Sequence, residues 1–147
     1  MSYKDGFNKR NQTIIAEPKC EEWLKKNNVV YTRYGFDALF DIKPQDFMKI
    51  PDLIRCTPDF MAIGKNASFI EAKGCSDILR LKEDDLKSYL RWDKICPVYL
   101  FVYSTKFKRK ALPTIKKVND YINLGKVPTG VYPENNKTYY KIPFETL

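Results

Sequence analysis

Apolar residues recur every third or fourth position in some stretches of this chain and every second position in others, and the change of rhythm predicts its elements. Over about residues 11–27, Ile14, Ile15, Cys20, Trp23 and Leu24 mark a helical stripe. Pro18 falls inside it, so either the helix proper starts near Glu17 or a longer helix is kinked there. Residues 29–34 read as a strand closed by Gly35. Residues 36–55 mix aromatics with Asp37, Asp41, Asp46 and Asp52. They form a long connection, with Pro44 opening a short helix through Met48. Two strands follow at 57–64 and 68–74. Glu83, Asp84 and Asp85 then supply an acidic first turn to a helix reaching Lys94, its inner face Leu86, Tyr89, Leu90 and either Trp92 or Ile95. Residues 97–103 are apolar on both faces and predict a central strand. A helix over 113–124 carries Ile115, Val118, Tyr121 and Ile122 and stops at Gly125. The tail alternates about a turn at 134–137 and predicts a peripheral hairpin. This order, α-β-β-β-α-β with a C-terminal helix and hairpin, fits an α/β fold with a mixed β-sheet flanked by helices.

Size narrows the organisation to a single domain over residues 1–147. With 44% hydrophobic and 30% charged residues, the chain is of the globular class. No apolar run is long enough to span a bilayer, and Met1-Ser2-Tyr3-Lys4-Asp5-Gly6 lacks the pattern of a secretory signal. The expectation is an intracellular, cytoplasmic protein with no membrane partner. Histidine is absent, which excludes an imidazole base and any His-ligated zinc. Cys20, Cys56, Cys75 and Cys96 form no Cys-x-x-Cys pair and read as reduced thiols. Hard-cation chemistry through carboxylate oxygens remains.

Chemistry concentrates in the segment Pro58-Asp59-Phe60-Met61-Ala62-Ile63 and Ser68-Phe69-Ile70-Glu71-Ala72-Lys73. Two carboxylates and an ammonium at the edge of apolar strands are costly without compensation. Glu71 and Lys73 are two apart and leave the same strand face. Pairing Asp59 with Glu71 puts Ile63 opposite Ala67, leaves the loop Gly64-Lys65-Asn66, and brings all three charges onto that face. Such a loop wants a left-handed residue, which Gly64 or Asn66 can supply. Adjacent carboxylates repel unless a cation shares them, and Mg²⁺, with Mn²⁺ able to substitute, suits a site with few protein ligands. Lys73 beside it would orient or deprotonate the water that attacks a phosphodiester.

Pro58-Asp59, eleven residues, then Glu71-Ala72-Lys73 resembles the signature of the PD-(D/E)xK nuclease superfamily. The resemblance implies a restriction-endonuclease-like core over about residues 12–104, with 105–147 as additions. It also implies Mg²⁺ ligation by Asp59, Glu71 and the Ala72 backbone carbonyl, with Lys73 as the catalytic lysine. The family often adds a first-helix glutamate. Glu17 fits best, because Cys20 and Leu24 follow it as a buried stripe, and Glu21 is the alternative. Some branches carry Gln-x-x-x-Tyr on the next helix. Here Asp85-Leu86-Lys87-Ser88-Tyr89 has the tyrosine without the glutamine, unlike the exonuclease-helicase branch. The chain is most similar to small stand-alone members, the Holliday-junction resolvases and virus-type repair nucleases. That implies DNA repair or recombination, cutting at junctions, flaps or nicks, and for a resolvase a two-fold homodimer. Pro51-Asp52, Asp41-Ile42-Lys43 and Asp85-Leu86-Lys87 match parts of the motif and fail on context, Asp85 because it lies in the first turn of a helix.

Charge adds a partner class. Residues 1–60 carry ten basic and nine acidic side chains, residues 61–147 sixteen and nine, for a net +8. The run Lys106-Phe107-Lys108-Arg109-Lys110 fits a clamp on a DNA backbone, with Phe107 stacking or packing, and Lys82 and Lys87 are further candidate phosphate contacts, for which solvated helix lysines are the stronger alternative. A solvated loop or a localisation signal explains the same run equally well. The functional expectation is a Mg²⁺-dependent DNA endonuclease. Its alternatives are an RNA endonuclease and a catalytically inactive nucleic-acid-binding module of the same fold.

Overall fold

In the computed structural model, which describes residues 3–35, 44–47 and 49–147, the first helix begins well before the stripe that announced it. Helix α1 spans Tyr3–Lys26 with Pro18 inside it, so the longer helix is the one formed. Proline removes one rung of the helical ladder. Burial holds the helix across that gap, since Ala16, Cys20 and Leu24 repeat every four residues and are fully buried. Ile15, expected inside, is 38% exposed because it is one position round the helix from Ala16.

The elements after it are β1 (Val30–Arg33), α2 (Pro44–Phe47), α3 (Asp52–Arg55), β2 (Phe60–Ile63), β3 (Ala67–Cys75) and β4 (Ile78–Lys82). Then come α4 (Glu83–Asp93), β5 (Val98–Ser104), β6 (Arg109–Ala111), α5 (Ile115–Asn123), β7 (Thr129–Val131) and β8 (Thr138–Pro143). Pro44 does open a short helix, while Asp37, Asp41 and Met48 lie outside the described residues. Thr114 caps α5 by accepting a 3.1 Å hydrogen bond from the Lys117 amide, and Gly125, at φ 77°, ends it.

Five strands form one mixed sheet in the order β1-β2-β3-β5-β6, with β3 and β5 parallel and the other pairs antiparallel. Ile63 opposes Ala67, which is the predicted register. The loop between them closes without a left-handed residue, for neither Gly64 nor Asn66 has positive φ. α1 covers one face through Ala16, Cys20 and Leu24, against Phe60, Ile70, Ala72 and Phe101. The other face carries Phe69, Leu100 and Val102 against Leu86 and Tyr89 of α4 and Ile115 and Val118 of α5.

A second sheet, β4-β8-β7, packs into that same core through Leu79, Leu81 and Ile142. The alternation that marks β4 occupies only five residues, directly before an acidic helix start, too short a run to stand out from the helix that follows. Because β8 pairs with β7 on one edge and β4 on the other, the C-terminal hairpin is not peripheral. Ile95 is 72% exposed, since α4 has ended at Asp93 before reaching it. Among the described residues no helix is long and apolar enough to cross a membrane.

Candidate active site

Asp59 stands immediately before β2, and β1 helps to fix it there. The amides of Tyr34 and Gly35 donate to the Asp59 carbonyl at 2.8 and 3.2 Å. Across the hairpin the two carboxylates latch onto each other's strands. The Asp59 amide donates to Glu71 Oε2 at 3.1 Å, and the Ala72 amide donates to Asp59 Oδ2 at 2.9 Å. Hydrogen bonds to an ionised acceptor are about twice as strong as neutral ones, so the latch stiffens both side chains. In an extended strand a residue's N–H and C=O lie along the same edge. The Ala72 carbonyl is therefore on the Asp59 side of β3.

Strand parity then sets the face. Glu71 and Lys73 share the side of β3 that looks toward α4. Lys73 Nζ lies 3.5 Å from Glu71 Oε1 and 3.5 Å from Asp85 Oδ2, and 5.5 Å from the centre of the Tyr89 ring. Cys56 Sγ donates to Asp85 Oδ1 at 3.3 Å. Burial first and the Asp85 charge second push that thiol up to about 12, so it acts there as a neutral donor.

Burial raises the Glu71 carboxyl well above its ordinary range, and the Asp59 charge raises it further against the pull of Lys73 and Tyr89. Burial alone would depress the Lys73 ammonium, but Glu71, Asp85 and Asp59 outweigh it, so Lys73 is held more firmly protonated than a free lysine. Tyr89, buried against these acids, is raised well above a normal phenol by burial and then by Glu71. Among the described residues one cation, Lys73, faces the carboxylates of Glu71, Asp85 and Asp59, whose ionised forms together carry an excess of negative charge.

That excess is the test of fit for a divalent ion. Among the described residues no group of three or more Asp, Glu, Cys or His side chains surrounds one point. The donors here are instead two carboxylates joined by a peptide carbonyl, hard oxygens of the kind Mg²⁺ accepts when water fills its other positions.

The first-helix glutamates lie elsewhere on the hairpin's flank. Glu17 meets Arg33 at 3.5 Å, whereas Glu21 accepts from Tyr31 Oη at 2.8 Å and meets Arg33 at 3.4 Å. Both act electrostatically on the Cys20 thiol, as do Asp59 and Glu71, and burial is the larger cause of its rise. Of the basic candidates, Lys106 pairs with Asp77 at 3.5 Å and Lys87 with Glu83 at 3.2 Å. Arg109 covers Phe107, and Phe107 stacks on Phe144 rather than facing outward. Lys110 lies over Trp23 and Lys108, at φ 51°, is exposed in the turn. Lys82, the last residue of β4, stands at the position before α4 and makes no side-chain capping bond there. Asp85 and Tyr89, which read in the sequence as a helix-start acid and an inner-face residue, join the site as well; the Asp-x-x-x-Tyr spacing is visible there, but its aim at Lys73 depends on how α4 docks.

By sequence, no family model and no curated protein matches the chain. By fold, it is similar to a solved nuclease from a fusselovirus, at 11% identity and a TM-score of 0.53, over 92% of this chain and 82% of that one. A mixed sheet flanked by helices, similar in fold to a viral nuclease, is thus what the molecule is.

Proposed function

We propose that this chain is a Mg²⁺-dependent DNA endonuclease of the PD-(D/E)xK type, built on a restriction-endonuclease-like core. The observation that supports it most is the reciprocal latch, which sets Asp59, Glu71, Ala72 and Lys73 together as that signature requires. Asp59, Glu71 and the Ala72 carbonyl would hold the ion, with Glu17, or Glu21 in its place, as the helix-borne acid. Glu17 is favoured because, among the described residues, Arg33 alone engages it, whereas Tyr31 also holds Glu21. When bound, the ion supplies a Lewis acid that neutralises charge growing on the phosphoryl oxygens.

The chain's own residues do the rest. In hydrolysis a water oxygen attacks phosphorus, one ester P–O bond breaks, and the departing oxygen takes up a proton. Lys73 enters as a cation, because its acidic neighbours keep its proton in place. It orients the attacking water and stabilises the extra negative charge of the transition state. Asp85 holds Lys73 from the helix side, so the ammonium keeps its position when Glu71 is occupied by the ion. A domain of this size leaves little surface for reading sequence, which favours junctions, flaps or nicks as targets, and a two-fold dimer if two opposed cuts are made.

The test is incubation with supercoiled plasmid, a four-way junction, flapped DNA and RNA in Mg²⁺, Mn²⁺ or EDTA. Cutting is expected with either metal and not in EDTA. Asp59→Ala and Lys73→Ala should each lower the rate at least a hundredfold while binding persists. Binding without cutting in any metal would instead identify an inactive module of the same fold.

A further inference from the structure

The outer face of the second sheet carries cations in an arrangement that is unfavourable in isolation. Arg80 on β4 lies directly opposite Lys141 on β8, and Lys82 directly opposite Tyr139. Leu79, Leu81 and Ile142 alternate with them into the core, so Arg80, Lys82 and Lys141 share the side turned away from it. Like charges directly opposite each other in an antiparallel pair are destabilising. Among the described residues none of the three has an acidic partner, whereas Lys87, Lys106, Lys116 and Lys137 each do.

Aromatic rings hold two of these cations, Arg80 and Lys82. The Arg80 guanidinium lies 5.4 Å from the centre of the Tyr139 ring and Lys82 Nζ 5.7 Å from that of Tyr132. The two rings pack on each other with centroids 4.4 Å apart. Gly130 admits this pair, since a Cβ there would meet the Tyr139 ring at 2.5 Å. The face also adjoins the acidic site. Tyr132, raised mainly by burial, lies within electrostatic reach of Arg80, Asp85 and Lys73. Lys137 of β8's leading turn pairs with Asp84, next to Asp85, at 3.3 Å.

We propose that the outer face of the β4-β8-β7 sheet is the nucleic-acid track of this protein, with Arg80, Lys82 and Lys141 gripping the phosphodiester backbone and leading it to Lys73. The inference rests on the nuclease reading for where the strand goes, though not for its being bound. It moves the main contact away from the 106–110 turn, where Lys106 is already paired with Asp77. A polyanion relieves the repulsion between Arg80 and Lys141, and counterion release drives the contact.

The experiment compares wild type, Arg80→Gln/Lys141→Gln and Lys106→Gln/Lys108→Gln. Anisotropy of a fluorescein-labelled DNA duplex is read across a salt series, with cleavage of the same duplex in Mg²⁺. The Arg80/Lys141 variant should bind on the order of tenfold more weakly, and its log–log salt slope should fall by about two. Its melting temperature should not drop, because a repulsive pair has been removed. Unchanged affinity and slope in that variant, or loss only in the Lys106/Lys108 variant, overturns the track and leaves the nuclease reading intact. Wild-type binding through this face without cleavage keeps the track and sinks the nuclease reading. Binding of the wild type to phosphatidylserine vesicles and not to DNA overturns the track as well.

Discussion

Burial and the neighbouring Asp59 make the charged form of Glu71 costly, and this makes its ionisation measurable. Its folded pKa is raised by burial and by Asp59, above the ordinary value of 4.5. The folded chain therefore binds this proton more tightly than the unfolded chain does. The associated stability is fully present below the unfolded value and is lost as pH rises through the raised one. In EDTA, melting temperature should fall over that window, and Glu71→Gln should flatten the fall, raise the midpoint at neutral pH and abolish cutting. A Glu71→Gln protein less stable than wild type at neutral pH in EDTA would contradict this. At this scale much of the candidate site was legible. Asp59, Glu71 and Lys73 follow from a two-residue period and a three-residue loop. Asp85 was not, because a carboxylate in an acidic first turn is already explained by the helix terminus, and nothing local says that the turn stands over Lys73.

Among the elements, the hairpin β2–β3 was readable because a one-residue slip would have turned Asp59 away from Glu71 and placed Met61 on the wrong face. β4 was not, being five residues long and joined without a break to α4. The pairing of β7 with β8 offers a sharp comparison between glycines. Gly130→Ala forces a methyl group against the Tyr139 ring and should cost about 1–3 kcal/mol in urea unfolding. Gly64→Ala, which meets nothing within 4 Å and has no left-handed φ to preserve, should cost nothing. Equal losses at the two positions would mean that the tyrosine pair does not constrain the strands.

At the level of the whole molecule, the second sheet completes the core rather than decorating it. Ile142 and Leu79 are inside together with Leu100 and Val102 of the main sheet. Ile142→Ala should therefore lower the unfolding free energy by about 2–5 kcal/mol, in one transition seen alike by circular dichroism and tyrosine fluorescence. Two separate transitions would show that the sheets melt independently. This closure was hidden in the sequence because β4 meets β8 across almost half the chain, and periodicity carries no record of so distant a partner.

The five-stranded sheet also ends in very short rims. β1 has four residues, and β6, which carries Arg109 and Lys110, has three. Neither offers a foreign chain a long run of unpaired amides, and the arginine and lysine at one rim repel a like neighbour. Fibril growth by strand addition at the rims of this sheet thus finds little to template on, which disfavours copies of it adding end to end.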